Sequence, residues 1–175
     1  MNKPVIGISS CLLGRRVRYD GRDRLQQNLV EWLGDDAVLL AICPEVAIGM
    51  GIPRPPIQLA GDKQRPEARQ VDAPENNYTL PLKNFALLVS DEYVLDGYIF
   101  KSRSPSCGLG STPLIVNGST QSQTVSGIYA SAITGFLPYL PVTEGETLVT
   151  RNACQQFLQQ CRSYRNIRMA LEVEL

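Results

Sequence analysis

The chain has 175 residues, 43% of them apolar and 19% charged, with 17 basic against 17 acidic side chains, five cysteines and no histidine. This is a globular composition, long enough to bury a core without staples; zero net charge excludes a general nucleic-acid binder, and no apolar run is long enough to span a membrane. Without imidazole there is no Ser-His-Asp triad, Cys-His dyad or histidine-ligated zinc, so acid-base work falls to carboxyl, Lys, Tyr, Cys or a metal-bound water.

In chain order, Met1-Asn2-Lys3-Pro4 enters the aliphatic run Val5-Ile6-Gly7-Ile8 at once. It has neither the apolar segment nor the cleavage site of a secretory signal, so a cytoplasmic protein is expected. There, five cysteines without C-x-x-C spacing point away from a disulfide framework and a zinc ribbon, leaving ligation, nucleophilic chemistry or packing. The first run predicts a strand ending at Ser9-Ser10-Cys11-Leu12-Leu13-Gly14. Arg15 to Arg24 reads as a charged loop with the turn Tyr19-Asp20-Gly21, and its cluster Arg15-Arg16-Val17-Arg18 could grip one phosphate. Leu25, Leu29, Trp32 and Leu33 at helical spacing, closed by Gly34, predict the crossover helix of a parallel β-α-β unit. The second strand, Ala37 to Ile42, ends at Cys43-Pro44-Glu45.

The Gly- and Pro-rich segment Ile48 to Ile57 holds Arg54 between two prolines, either as a rigidly presented cation or as an ordinary solvated loop arginine. Glu67 to Asp72 predicts a short edge strand, Thr79 a helix cap, and Leu82 to Val89 a buried helix. Tyr98-Ile99-Phe100 predicts a third strand, whose loop Lys101-Ser102-Arg103-Ser104-Pro105-Ser106-Cys107-Gly108 carries two cations, three hydroxyls and a thiol. Gly108 to Thr112 and Asn117 to Thr120 are loop or hairpin material, and Gly127 to Ile133 is a packed helix capped by Ser126. Leu140 to Val142 predicts a last strand and Thr150 to Arg165 a C-terminal helix, on which Cys154 and Cys161 share the apolar side and fill core. The whole reads as an α/β fold over residues 1–175: one domain with a Rossmann-like open sheet, mostly parallel, helices on both faces, and the C-terminal helix (about 150–166) packed upon it.

Three strands thus end at a cysteine with Gly or Pro punctuation, and parallel neighbours would bring all three thiols to one sheet edge. Three chemistries compete for Cys11, Cys43 and Cys107. Zinc would need a fourth ligand or water, for which Glu45 stands close by. A Cys107 nucleophile could be activated by Lys101 or Arg103, but leaves the other two thiols unexplained. An iron–sulfur cluster uses all three and leaves one iron open to substrate.

Ser9-Ser10-Cys11-Leu12-Leu13-Gly14 with Val17-Arg18-Tyr19-Asp20-Gly21, Cys43-Pro44-Glu45 leading to Pro53-Arg54-x-Pro56, Lys101-Ser102-x-Ser104-Pro105-Ser106-Cys107-Gly108 and Gly127-Ile128-Tyr129-Ala130 together resemble the thiouracil desulfidase family. The resemblance runs from Ser9 to about Ile133 and leaves the C-terminal helix outside. It implies an oxygen-sensitive 4Fe-4S cluster on Cys11, Cys43 and Cys107, its open iron binding the sulfur of a thiolated pyrimidine that is desulfurated without net redox. Glu45 would activate water or relay the proton, Ser104 would assist proton transfer and orient the base, and Arg18, Asp20, Arg54 and Lys101 would line the pocket. Gln58 stands where many relatives carry an acid, which would free Arg54 for a phosphate and favour a nucleotide substrate. A non-catalytic cluster-binding or sulfur-trafficking protein would display the same motifs, and a three-cysteine zinc hydrolase stands as a further alternative. Activity separates an enzyme from a carrier.

Overall fold

The aliphatic runs that end at cysteines do lie side by side. In a computed structural model, which describes residues 3–173, β1 (Val5–Ser9) pairs in parallel with β2 (Val38–Ile42), after the helix α1 (Gln27–Leu33). The short helix α2 (Pro44–Ala47) follows, then the hairpin β3 (Ile57–Asp62) and β4 (Arg65–Gln70), the helix α3 (Thr79–Glu92) and β5 (Gly97–Phe100). A second hairpin, β6 (Thr112–Val116) and β7 (Ser119–Val125), precedes α4 (Ile128–Phe136), β8 (Val142–Glu144) and the long α5 (Arg151–Val173). The first sheet has the order β2-β1-β5-β8 and is parallel throughout. Among the described residues no helix is long and apolar enough to cross a membrane.

Side-chain alternation along the strands divides the core between the two faces of this sheet. Tyr98 and Phe100 point with Ile42 toward α3 and α4, meeting Leu82, Ala86, Val89, Ile128 and Ile133. Ile6, Ile8 and Ile99 point the other way, toward Leu29 and Leu33 of α1 and Cys154, Phe157, Leu158 and Cys161 of α5. Helices therefore cover both faces, as the sequence predicts. The crossover from β1 to β2 leaves by one face and the route into β5 returns by the other, which opens a crevice at the carboxyl ends of the strands.

The sequence reading did not place a second sheet, ordered β4-β3-β6-β7. It joins the two hairpins through a parallel β3–β6 contact at Leu59↔Leu114 and Ala60↔Ile115. β3 is masked in the sequence by the proline run that precedes it. β7, Ser-Thr-Gln-Ser-Gln-Thr-Val, has no apolar alternation because it is an edge strand.

Two predicted caps serve other ends. Thr79 is the first residue of α3, and its hydroxyl accepts the Ala68 N–H of β4 at 2.9 Å while Asn77 Oδ1 accepts the Thr79 N–H. Ser126 Oγ accepts the Gly110 N–H. The donors at the start of α4 go instead to carbonyls of the Cys107 loop, Ile128 to Pro105 and Ala130 to Ser106, each at 3.0 Å. The terminal helix runs past the predicted end at 165. A buried ionic knot holds it: Asp96, fully buried before β5, accepts from Val5 N–H, Arg165 Nη1 and Arg168 Nη2 at 2.8–3.1 Å.

Candidate active site

At the carboxyl ends of β2, β1 and β5, neighbours in that order, stand Cys43, Cys11 and Cys107. Cys43 follows β2 directly, Cys11 lies in the 3-10 turn Ser10–Leu13 after β1, and Cys107 sits in the loop after β5. All three line one cavity of about 470 Å³. Its floor is the strand-end loops, and its far wall is the unforeseen second sheet, through Gln58 and Leu59 of β3 and Thr112, Pro113 and Ile115 of β6.

The loop carrying Cys107 is fixed from several sides. Ser9 Oγ accepts the Lys101 N–H, tying the ends of β1 and β5 together. Ser104 Oγ accepts the N–H groups of Ser106 and Cys107 at 3.2 and 3.0 Å, and Glu144 of β8 accepts from Leu109 N–H. Gly127, at the entry to α4, abuts the same loop: a Cβ there would lie 2.5 Å from the Ser106 carbonyl carbon, so only glycine allows this approach.

Glu45 is the only acidic residue among those lining the cavity, and it is clamped. Arg54 Nε donates to its Oε2 at 2.7 Å and Ser106 Oγ to its Oε1 at 2.8 Å. Arg54 is itself buried, with Nη1 donating to the Gly51 carbonyl. The arginine is therefore committed to Glu45, not released for a phosphate by Gln58; Gln58 does line the cavity, but the carboxylate pairing with Arg54 comes from elsewhere. Arg18 lines the wall, stacked over Tyr19 at 5.5 Å and ion-paired with Asp20 at 3.4 Å. Asp20 is outside the lining and acts on the cavity through Arg18. Lys101 Nζ reaches Glu146 and the Ser102 hydroxyl. Of the lining cations, Arg24 and Arg103 have guanidiniums without a hydrogen-bond or ion-pair partner among the described residues.

Sequence reading thus named the three thiols, Glu45, Ser104, Arg18, Arg54 and Lys101, all of which meet here. It missed Ser106, the buried hydroxyl that orients Glu45 across 61 positions, and Glu146 and Glu144, whose signals lie beyond the motifs. Cys154 and Cys161 lie elsewhere, fully buried on the inward side of α5.

The thiols fit a metal-bound group by their chemistry. Burial pushes the Cys11 thiol up to about 11, with Cys43 adding to the shift and Lys101 and Arg18 opposing it. Burial raises Cys43 as well, and raises Cys107 far more, aided there by Cys43 and Glu45 against a hydrogen bond from Ser9. Three desolvated thiols so close together cannot all ionise alone; a bound cation makes thiolates of them. Among the described residues no three His, Cys, Asp or Glu side chains are arranged around one ion. The cysteines instead ring a cavity with room for a polynuclear group, and a thiol set of this kind is what iron–sulfur clusters take.

Comparison with known proteins falls on the same residues. The family described as 2-thiouracil desulfurase matches residues 6–145. The uncharacterized protein YbbK of Bacillus subtilis (strain 168) is 30% identical over 130 residues, 70% of this chain and 83% of YbbK. Among solved structures, the [4Fe-4S]-dependent thiouracil desulfidase TudS superposes with a TM-score of 0.62 at 29% identity, covering 84% of this chain and 93% of TudS.

Proposed function

The chain belongs to the 2-thiouracil desulfurase family, and from that premise we propose that it holds a 4Fe-4S cluster on Cys11, Cys43 and Cys107 and desulfurates a thiolated pyrimidine without net redox. The observation that carries this reading is the meeting of three strand-end thiols with Glu45 in one cavity. When bound, a cluster with three protein ligands supplies a thiophilic Lewis acid that draws electron density from the substrate's sulfur. The rest of the chemistry belongs to the chain. Water forms the new C–O bond, the C–S bond breaks, and sulfur departs as sulfide, so no external reductant enters. Glu45 accepts the proton of the attacking water, held at the required angle by Arg54 and Ser106. Ser104 accepts two backbone N–H groups and keeps its own O–H to donate, which suits it to orient the ring and pass a proton. Arg18 and Lys101 set the potential of the wall, with Asp20 and Glu146 fixing their directions. Arg24 and Arg103 are the cations with capacity left for a substrate phosphate.

The test uses protein made and kept without oxygen. Iron and sulfide are counted, then 2-thio and 4-thio pyrimidines are offered as base, nucleoside and monophosphate, with sulfide release and absorbance followed together. Close to four irons per chain and stoichiometric sulfide from at least one substrate are expected. Stoichiometric zinc with no iron after reconstitution would replace the cluster with a zinc site. An iron-replete protein that acts on no thiopyrimidine would be a cluster carrier.

A further inference from the structure

Two hydroxyl groups deep in the core have nothing to bond to. Tyr98 of β5 and Tyr129 of α4 are both fully buried, their rings 5.9 Å apart at 63°, and neither phenol oxygen has a hydrogen-bond partner among the described residues. The two hydroxyls are close neighbours, Tyr98 easing the ionisation of Tyr129 and Tyr129 opposing that of Tyr98, but their contact falls short of full hydrogen-bond geometry. Phe100 stacks on Tyr98 at 4.1 Å and Phe85 on Tyr129 at 5.8 Å, so the same pocket accepts rings without oxygen. A buried hydroxyl without an acceptor is penalised, and two of them at one spot call for an acceptor that the polypeptide alone does not provide.

Both phenols pack in the core close to Cys107. Tyr98 pairs with Gly7, where a Cβ would lie 2.5 Å from its ring; glycine therefore lets the ring lie across β1 toward β2, the strand that ends at Cys43. Tyr129 lies between Ile128 and Ala130, whose N–H groups bond the carbonyls of Pro105 and Ser106, so it rides on the loop that carries Cys107. Tyr98, Tyr129 and Cys107 also belong to the same core cluster. Burial chiefly raises both phenols, and the nearby Cys107 sulfur pushes each further in the same direction.

We infer that Tyr98 and Tyr129, packed in the core behind Cys107 and outside the cavity lining, donate O–H···S hydrogen bonds to the Cys107 sulfur once it is a cluster ligand, as positioning residues for the cluster. The inference rests on the cluster reading above. Thiolates and sulfides carry the negative charge that thiols lack, and so are the acceptors that both hydroxyls are missing in the chain by itself. Donation to sulfur withdraws that charge, raises the reduction potential and slows loss of metal.

The experiment is Tyr98→Phe, Tyr129→Phe and the double variant in the full chain, reconstituted without oxygen beside the wild type. The expected result is a reduction potential shifted to more negative values in each single variant and further in the double. Altered Fe–S(Cys) stretching frequencies in resonance Raman spectra and several-fold faster iron release to a chelator should accompany it. Thermal stability of the iron-free protein should hold or rise, since an unpartnered hydroxyl is removed, which separates cofactor effects from damage to the core. Potential, frequencies and release rate all unchanged in iron-replete variants would overturn the inference and leave the cluster reading standing. A wild type that takes up no iron would overturn both. The single variants decide the matter if the double variant does not fold.

Discussion

Two carboxylates in this molecule are buried beside arginines, and they are built differently. Asp96 is fully enclosed and its two oxygens take up a backbone N–H and two guanidiniums, from Val5, Arg165 and Arg168. Glu45 has one arginine and one serine hydroxyl, one on each oxygen, and opens into the cavity with 13% of its side chain exposed. Saturation makes Asp96 a rivet for α5, whereas a lone pair left toward a cavity gives Glu45 something to do.

The contrast is sharpest under substitution. Glu45→Gln keeps the shape and leaves Ser106 a partner but cannot take a proton; turnover should fall by ~100- to 10,000-fold, with iron content near wild type and the unfolding midpoint lowered, because buried Arg54 loses its counter-charge. Full turnover in that variant would move the proton transfer to another group. Asp96→Ala reverses the pattern. It leaves two guanidiniums facing a vacated site, and urea unfolding should show a loss of about 3 kcal/mol, the low end for a broken buried pair because both arginines also reach solvent. Turnover per bound cluster should be unchanged, and a matching loss of turnover would show that α5 acts on the site.

Ser106→Ala probes how far the clamp matters. Losing a hydrogen bond to a charged acceptor is worth ~1.5 kcal/mol, so turnover should drop on the order of 10-fold, in kcat more than in KM. An effect confined to KM would mean that Ser106 meets the substrate and does not aim Glu45. The smallest change is expected at Arg162→Ala, which removes an ion pair to Asp36 whose partners are 45% and 58% exposed; its cost should stay below ~1 kcal/mol in chemical denaturation. A larger loss there would show that α5 is held at its middle as well as at Asp96.

What the sequence discloses follows how local each signal is. Val5 to Ile8 and Val38 to Ile42 are aliphatic runs bounded by turn residues, so strands and thiol-bearing ends could be read directly, and the parallel arrangement followed from the helix between them. Leu82 to Val89 is apolar on every side and carries no clear helical period; α3 leaves Leu87 and Leu88 about half exposed, which explains the missing periodicity. Polar partners at a distance carried no signal at all. Ser106 meets Glu45, and Asp96 meets Arg165 and Arg168, across 61 to 72 positions, and nothing in any local window marks them as pairs. The second sheet was hidden for another reason: its strands are half-polar and preceded or interrupted by proline, with their burial supplied by β5, α3 and α4.

That second sheet separates two duties within one cavity. The thiols, Glu45 and the phenols belong to the first sheet and the loops and helices attached to it, while Gln58, Pro113 and Ile115 reach in from the two hairpins of the second sheet. The frame that bears the thiols and the panel that faces it come from different stretches of chain. Changes at Gln58 or Ile115 would therefore recut the panel without replacing any thiol or Glu45, whereas Thr112, which donates to the Ser104 carbonyl, joins the panel to the Cys107 loop.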